Sequence, residues 1–93
     1  MNLEIKPISV CDAYIFFDDR KCVPANEIDD DLAFAISVVD EKGAIHGVIS
    51  MNADGKECSL AHLYTDGTAL VGSILYGAAW RACKALGYKS ICI

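Results

Sequence analysis

The sequence lacks the features that mark membrane-spanning, disordered and secreted chains. Only 2 prolines and 7 glycines occur in 93 residues, which excludes collagen-like and linker-like chains. The apolar content of 54% and mean hydropathy of +0.32 exclude disorder. The longest run without a charged residue, 67–80, is shorter than the roughly 18–20 apolar residues of a bilayer span. Because the N-terminus has no signal pattern, we expect one cytoplasmic domain over residues 1–93.

Basic residues are also scarce. Eight Lys and Arg against 13 Asp and Glu give a net charge of −5. Residues 1–46 carry 4 bases and 10 acids (−6), and residues 47–93 carry 4 bases and 3 acids (+1). Such a chain is poorly suited to nucleic acid, because contacts from Lys and Arg to phosphate dominate that binding. The acidic half, with its run 29–31, either keeps the domain soluble or meets a basic partner.

The five cysteines include no C-x-x-C pair, and their number is odd. A disulfide framework favours an even number, and a zinc ribbon requires close pairs. The simplest interpretation is a reduced protein whose cysteines pack as small apolar side chains.

Apolar spacing predicts the element order β-α-β-β-β-α-β, an α/β fold with a mixed, mostly antiparallel sheet and two helices. A strand over residues 2–6 should end at Pro7. A helix over residues 10–19 follows, with Ser9 as its N-cap. Residues 20–31 lose the periodicity and indicate a solvated loop.

The middle of the chain predicts an antiparallel meander, and its end predicts a crossover. The meander strands cover residues 32–39, 44–51 and 57–64. A helix capped by Thr68 and closed by Gly87 follows. Its expected apolar stripe consists of Leu70, Ile74, Leu75, Ala78, Ala82 and Leu86. A strand over residues 88–93 should then lie parallel to the last meander strand.

Two histidines and one cysteine leave alternatives open. Cys58 and His62 lie four apart on one predicted strand, on one face with Leu60 and Tyr64, and His46 lies on the neighbouring strand. A Cys-His-His metal site is conceivable, and His62 could be a general base. The apolar neighbours favour ordinary packing of these side chains. Asp66 is best interpreted as a turn former.

The segment over residues 57–93 resembles part of a known enzyme fold. Thr65-Asp66-Gly67-Thr68 leads into Gly72-Ser73, and the helix that follows ends in Ala85-Leu86-Gly87-Tyr88. These residues and the element order look like the first two-thirds of the GNAT N-acetyltransferase fold. Within it, residues 65–68 followed by residues 75–82, Leu-Tyr-Gly-Ala-Ala-Trp-Arg-Ala, look like a small group of phage and prophage GNAT-like proteins. The resemblance implies a partial GNAT-like domain with acetyl-CoA as cofactor and no metal.

The resemblance also implies which residues bind that cofactor. In GNAT proteins the strand before the long helix opens away from its parallel neighbour and binds pantetheine, and the following turn binds pyrophosphate. Carried over, the pantetheine strand is Leu63, Tyr64 and Thr65. The phosphate turn is Gly67, Thr68, Gly72 and Ser73. Gly67 stands where the family has Arg or Gln, and Leu70 stands where the family has a glycine. Gly67, Thr68 and Gly72 could equally form only a helix cap.

Two functions follow as expectations. One is an acyl-CoA-related domain with weak or no acetyltransferase activity, because in the family the part beyond this segment often supplies the general acid. The other is a non-catalytic, anti-CRISPR-like inhibitor that binds a host defence protein. The last strand, 89–93, is expected at an open sheet edge, where it would pair with a second copy or a host protein.

Overall fold

Seven elements form one five-stranded sheet with two helices, as the sequence predicts. The computed structural model describes residues 2–19 and 32–92. The elements are β1 (Glu4–Ile8), α1 (Val10–Asp19), β2 (Leu32–Val39), β3 (Ile45–Asp54), β4 (Glu57–Thr65), α2 (Val71–Ala85) and β5 (Ser90–Cys92). The predicted loop over residues 20–31 and the last position of the predicted final strand lie outside the described residues.

The strands lie in the sheet in their chain order, β1-β2-β3-β4-β5. The first three pairings are antiparallel. After β4 the chain crosses over through α2, and β5 pairs in parallel with β4, from Glu57↔Ser90 to Ser59↔Cys92. The predicted crossover is therefore confirmed, and β5 is one edge of the sheet.

The two helices cover opposite faces of the sheet. The larger core joins α2 to alternate residues of the central strands, including Ile36, Val38, Ile49 and Met51. A smaller cluster joins Ala13 and Phe16 of α1 to Ala35 and Val48. This division follows from strand geometry, because successive side chains point to opposite faces.

Gly47 sets the distance between α2 and β3. A Cβ at this position would lie 2.5 Å from Val71 Cγ1, 2.9 Å from Leu75 Cδ1 and 3.0 Å from the carbonyl oxygen of Tyr64. These distances leave no room for a side chain. The start of α2 therefore rests directly on the backbone of β3.

Several strand boundaries differ from the prediction by one to three residues. β1 does not end at Pro7 but continues to Ile8, with Pro7 opposite Ile36. A sheet edge tolerates proline, because an edge strand needs ladder hydrogen bonds on one side only. β3 runs to Asp54, and the tight turn lies at Gly55, which has φ +61.

The start of α2 also differs from the prediction. Thr68 is not its N-cap; the cap is Leu70, at φ 71, with no side-chain hydrogen bond. The helix therefore begins at Val71, and the buried stripe is Val71, Leu75, Ala78, Ala79 and Cys83. Leu70 and Leu86 lie outside the helix and are 73% and 63% exposed.

The predicted ends of both helices are otherwise confirmed. Ser9 Oγ accepts a hydrogen bond from the N–H of Asp12 at 3.0 Å, as an N-cap does. Gly87, at φ 89, follows α2; its N–H donates to Lys84, and the N–H of Tyr88 donates to Cys83. This bond pattern is a Schellman motif, which requires a left-handed residue. Neither described helix is long and apolar enough to cross a membrane.

Candidate cofactor site

β4 carries one extra residue near its middle. Ser50 and Met51 are consecutive on β3, but their partners on β4, His62 and Leu60, are separated by Ala61. Such a bulge bends the strand and increases its twist. It also shifts the alternation of side chains by one residue.

The bulge decides which side chains of β4 share a face. Cys58 lies in the α2 core, and beyond the bulge Leu63 packs against the same core. Tyr64 joins the α1 cluster, where its ring centroid lies 5.0 Å from that of Phe16. His62, two residues before Tyr64, shares its face. The prediction that Cys58, His62 and Tyr64 share one face is therefore wrong, and Cys58 and His62 cannot ligate one metal ion from a common side.

Among residues 2–19 and 32–92, one edge of β4 carries a neighbouring strand only at its first residues. β5 pairs only with residues 57–59. Within the described parts of the chain, no strand pairs with that edge over residues 60–65. An extended ligand could therefore bond to backbone N–H and C=O groups there, as a β-strand does.

α2 begins after the five-residue turn 66–70 that follows this edge. The N–H of Val71 donates to the carbonyl of Thr68 at 3.4 Å, and that of Ile74 donates to Leu70 at 2.9 Å. Within residues 2–19 and 32–92, the N–H groups of Gly72 and Ser73 have no acceptor. Unbonded N–H groups at the positive end of a helix dipole attract anions. Nothing lies within 4 Å of a Cβ built on Gly72, so a ligand can approach its backbone.

A histidine joins this turn to the turn between β2 and β3. Nδ1 of His46 lies 2.6 Å from Oδ2 of Asp66 and 3.2 Å from Oγ1 of Thr68. Its Nε2 lies 2.9 Å from Oδ2 of Asp40. Asp66 also accepts the N–H of Thr68 at 2.9 Å, and Asp40 accepts the N–H of Lys42 at 2.8 Å. The His46 network, Asp40–His46–Asp66–Thr68, thus fixes the turn that precedes α2.

The charged forms of His46, Asp40 and Asp66 stabilise one another in this network. Both ring nitrogens of His46 face carboxylates, which accept hydrogen bonds, and this arrangement favours an imidazolium that donates at both positions. The bonds to Asp40 and Asp66 raise the pKa of His46 above its usual 6.5. Thr68, with a smaller contribution from His46, lowers the pKa of Asp66 to about 2. The bond from His46 also lowers the pKa of Asp40.

A second polar group lies on the α1 face of the sheet. Ser50 is buried there and pairs across the strands with His62. Ser50 Oγ and Asn52 Oδ1 are buried without a hydrogen-bond partner in the described structure. Among residues 2–19 and 32–92, no three His, Cys, Asp or Glu side chains are arranged to hold a metal ion.

The structure brings the predicted cofactor residues into one continuous stretch. They run along the end of β4, through the turn and into the first turn of α2: Leu63, Tyr64, Thr65, Gly67, Thr68, Gly72 and Ser73. Leu63 and Tyr64 point to opposite faces, so they would meet a ligand at the edge through their backbones. The Thr68 hydroxyl is bonded to His46. CoA binding at these residues stays a prediction.

Sequence reasoning missed the His46 network. It treated His46 as a conceivable metal ligand and Asp66 as a turn former, and gave Asp40 no role beyond its turn. Asp40 and Asp66 are 26 positions apart (66 − 40), and neither forms a spacing motif with His46. His46 also lies at a bulge, between the pairs Val38↔Gly47 and Val39↔Ile45, which alternation does not reveal.

Comparisons with known proteins identify the fold. The chain is similar to an IAA acetyltransferase from Bacillus cereus (TM-score 0.73, 13% identity, covering 97% of this chain and 63% of that one). It is similar to the ribosomal-protein-S18-alanine N-acetyltransferase from Escherichia coli (TM-score 0.74, 10% identity, 97% and 64% covered). A PaiA N-acetyltransferase from Thermoplasma acidophilum, solved in complex with coenzyme A, gives a TM-score of 0.67 at 14% identity, with 95% and 76% covered.

These similarities establish the fold and nothing finer. The chain spans less than two-thirds of the length of the first and second of these acetyltransferases. No family model and no curated protein matches the sequence. The chain therefore has a partial GNAT-like fold, with a mixed sheet and two helices, in agreement with the fold predicted from the sequence.

Proposed function

We propose that this chain binds acyl-CoA in the cytoplasm. The observation that carries the proposal is the pair of unbonded N–H groups on Gly72 and Ser73, placed where the open edge of β4 ends. A thioester of CoA combines an extended pantetheine with a pyrophosphate, and the two features suit these two parts. The coenzyme A complex of the Thermoplasma protein, which shares this fold, supports the proposal.

The chemistry of the turn sets the character of this binding. Residues 65–73 include no Lys or Arg, so backbone N–H groups and the helix dipole would hold the phosphates. Asp66 adds a negative charge close by, which the imidazolium of His46 offsets. We therefore expect affinity in the micromolar range with little dependence on salt, because few formal charges are paired.

We also propose that acyl transfer by this chain is slow. An amine acceptor must lose a proton, and a general base typically contributes 10²–10⁴-fold to such a rate. The two carboxylates beside His46 favour its imidazolium form, which has no lone pair to accept that proton. His62 lies on the α1 face and is the other histidine of the chain. Rapid acetylation of an amine, measured as release of free CoA, would contradict this part of the proposal.

Calorimetric titration with acetyl-CoA tests the binding. The wild-type chain should bind, and Gly72→Asp should lose at least tenfold in affinity because its carboxylate faces the phosphates. Gly72→Asn is the matched control, with the same volume and no charge, and should lose less than threefold. Gly72→Asp should fold at least as well as the wild type, since an acid in the first turn favours the helix dipole.

Two results would overturn the proposal. One is the absence of binding by the folded wild-type chain at millimolar acetyl-CoA. The other is equal affinity of Gly72→Asp and wild type, which would make the turn purely structural. The alternative from the sequence, a phage-encoded inhibitor of a host defence protein, is favoured by no feature of the described residues. That alternative would need testing only if the folded wild-type chain binds no acetyl-CoA.

A further inference from the structure

Two buried cysteines meet between β4 and α2. Sγ of Cys83 lies 2.7 Å from Sγ of Cys58, and both side chains are fully buried. Nonbonded heavy atoms rest about 3.5–4.0 Å apart, and a disulfide bond measures about 2.05 Å. Two thiols at 2.7 Å are therefore much closer than packing alone requires. The two sulfurs need to approach by a further ~0.65 Å to reach that bond length.

We propose that Cys58 and Cys83 are a cross-linking pair, joined in a disulfide when the protein meets a peroxide. One thiol is oxidised by hydrogen peroxide to a sulfenic acid, with loss of water. The second sulfur attacks that sulfur, the S–S bond forms, and the hydroxyl leaves as a second water. Overall, two thiols and one H₂O₂ give one disulfide and two H₂O. A reducing cytoplasm keeps the pair open until such an oxidant is present.

The surroundings of the pair make this oxidation slow and its product durable. Burial raises the pKa of the Cys83 thiol to about 12, so little thiolate is present in the closed fold. β5 lies beside Cys58 in the sheet, and its Ile91 packs against the core cluster that contains both cysteines. β5 has three residues at the edge of the sheet. A short edge strand opens more readily than the central strands. We infer that peroxide reaches the pair when β5 opens, and that closure then shields the disulfide from reductants.

The cross-link would close a loop of 25 positions that contains the turn and most of α2. It would fasten α2 to β4 near the end of the helix, away from Gly72 and Ser73 at its start. Restricting the unfolded chain in this way should raise Tm by roughly 10–20 °C. Acyl-CoA affinity should change less than twofold, so the inference does not depend on the proposed function.

The test uses the full chain, purified under reductant and treated with hydrogen peroxide. After free thiols are blocked in denaturant, trypsin should yield peptide 57–81 linked to peptide 82–84, which hold Cys58 and Cys83 respectively. The linked protein should melt at a higher temperature than the reduced protein. Cys58→Ala should lose this redox difference. Cys11→Ala is the matched control and should keep it, because Cys11 is exposed and away from the pair.

The proposal is overturned if Cys58 and Cys83 remain alkylatable after exposed Cys11 is fully oxidised. It is also overturned if either of them links to a different cysteine. The peptide map of the wild-type chain decides both points, so the test stands even if Cys58→Ala folds poorly.

Discussion

Leu70 occupies a conformation that costs a leucine free energy. Its φ of 71 is in the left-handed region, where Cβ crowds the following carbonyl oxygen at a cost of about 1–2 kcal/mol. Its side chain is 73% exposed, so burial returns little. The chain nevertheless adopts this left-handed conformation at the turn into α2. Strained backbone conformations cluster at functional sites and lower the stability of the fold, and Leu70 lies at the candidate binding turn.

Leu70→Gly should stabilise the protein by about 0.5–1 kcal/mol, since relief of strain exceeds the added entropy of the unfolded chain. Leu86→Gly is the matched control. Leu86 is similarly exposed, at 63%, but its φ is −81, so the change should destabilise by about 0.5–1 kcal/mol. Urea unfolding measures both. Destabilisation by both variants would show that the left-handed turn carries no strain.

The His46 network should make stability depend on pH in two directions. The pKa of His46 is raised above 6.5 by folding, so its contribution is full below about 6.5 and is lost as pH rises through the folded pKa. The pKa of Asp66 is lowered to about 2, so its contribution is full above about 4 and is lost as pH falls toward 2. The network therefore stabilises most between about pH 4 and 6.5.

His46→Gln tests this pH dependence, because glutamine cannot become an imidazolium. The difference in unfolding free energy between wild type and His46→Gln should be largest from pH 4 to 6.5 and should shrink above it. A constant difference from pH 3 to 9 would contradict the charged network.

At the scale of elements, the bulge at Ala61 sets the direction in which the end of β4 runs. Deleting Ala61 leaves Leu60 and His62 consecutive, opposite Met51 and Ser50, so every other strand pair is kept. The deletion should change Tm by less than about 5 °C but should weaken acetyl-CoA binding at least tenfold, because the open edge is redirected. Ala61→Gly, which keeps the bulge, should bind like the wild type. Unchanged affinity after the deletion would separate the bulge from the site.

The elements were predictable from the sequence, whereas their irregularities were not. Apolar spacing and turn residues such as Gly87 predicted α1, β2 and β5, because burial of one face repeats along an element. The bulges at His46 and Ala61 were not predictable, because the sequence around them shows neither a change in composition nor a turn signal. The Thr68 cap failed because Asp66 and His46, a tertiary partner, bind Thr68. The predicted cofactor stretch lies together because it is contiguous in sequence; the network that holds it joins two distant turns.

At the scale of the whole molecule, the two edges of the sheet differ in protection. β1 carries Glu4, Lys6 and Pro7, which discourage strand pairing, whereas β5 carries no charge and no proline. We propose that β5 pairs with a second copy of the chain around a two-fold axis. A strand of another protein is the alternative occupant.

Light scattering under reductant should then give about 20 kDa, twice the 10.0 kDa of the chain, at micromolar concentration. Cys92→Lys should return the mass to that of a monomer, because a charged edge resists pairing. Ile5→Lys, on the opposite edge and 43% exposed in the wild type, should not change the mass. A wild-type monomer at all concentrations would contradict the homodimer.

The identity of strand order and chain order shapes how the fold is acquired during synthesis. The meander of β2, β3 and β4 needs only short hairpins, so it can form as it leaves the ribosome. Its α2 face, with Ile36, Val38, Ile49 and Met51, stays uncovered until the 20 residues from Asp66 to Ala85 are made. At roughly 5–20 residues per second this takes about 1–4 s. That interval is when the nascent chain most needs a chaperone to shield its exposed apolar face.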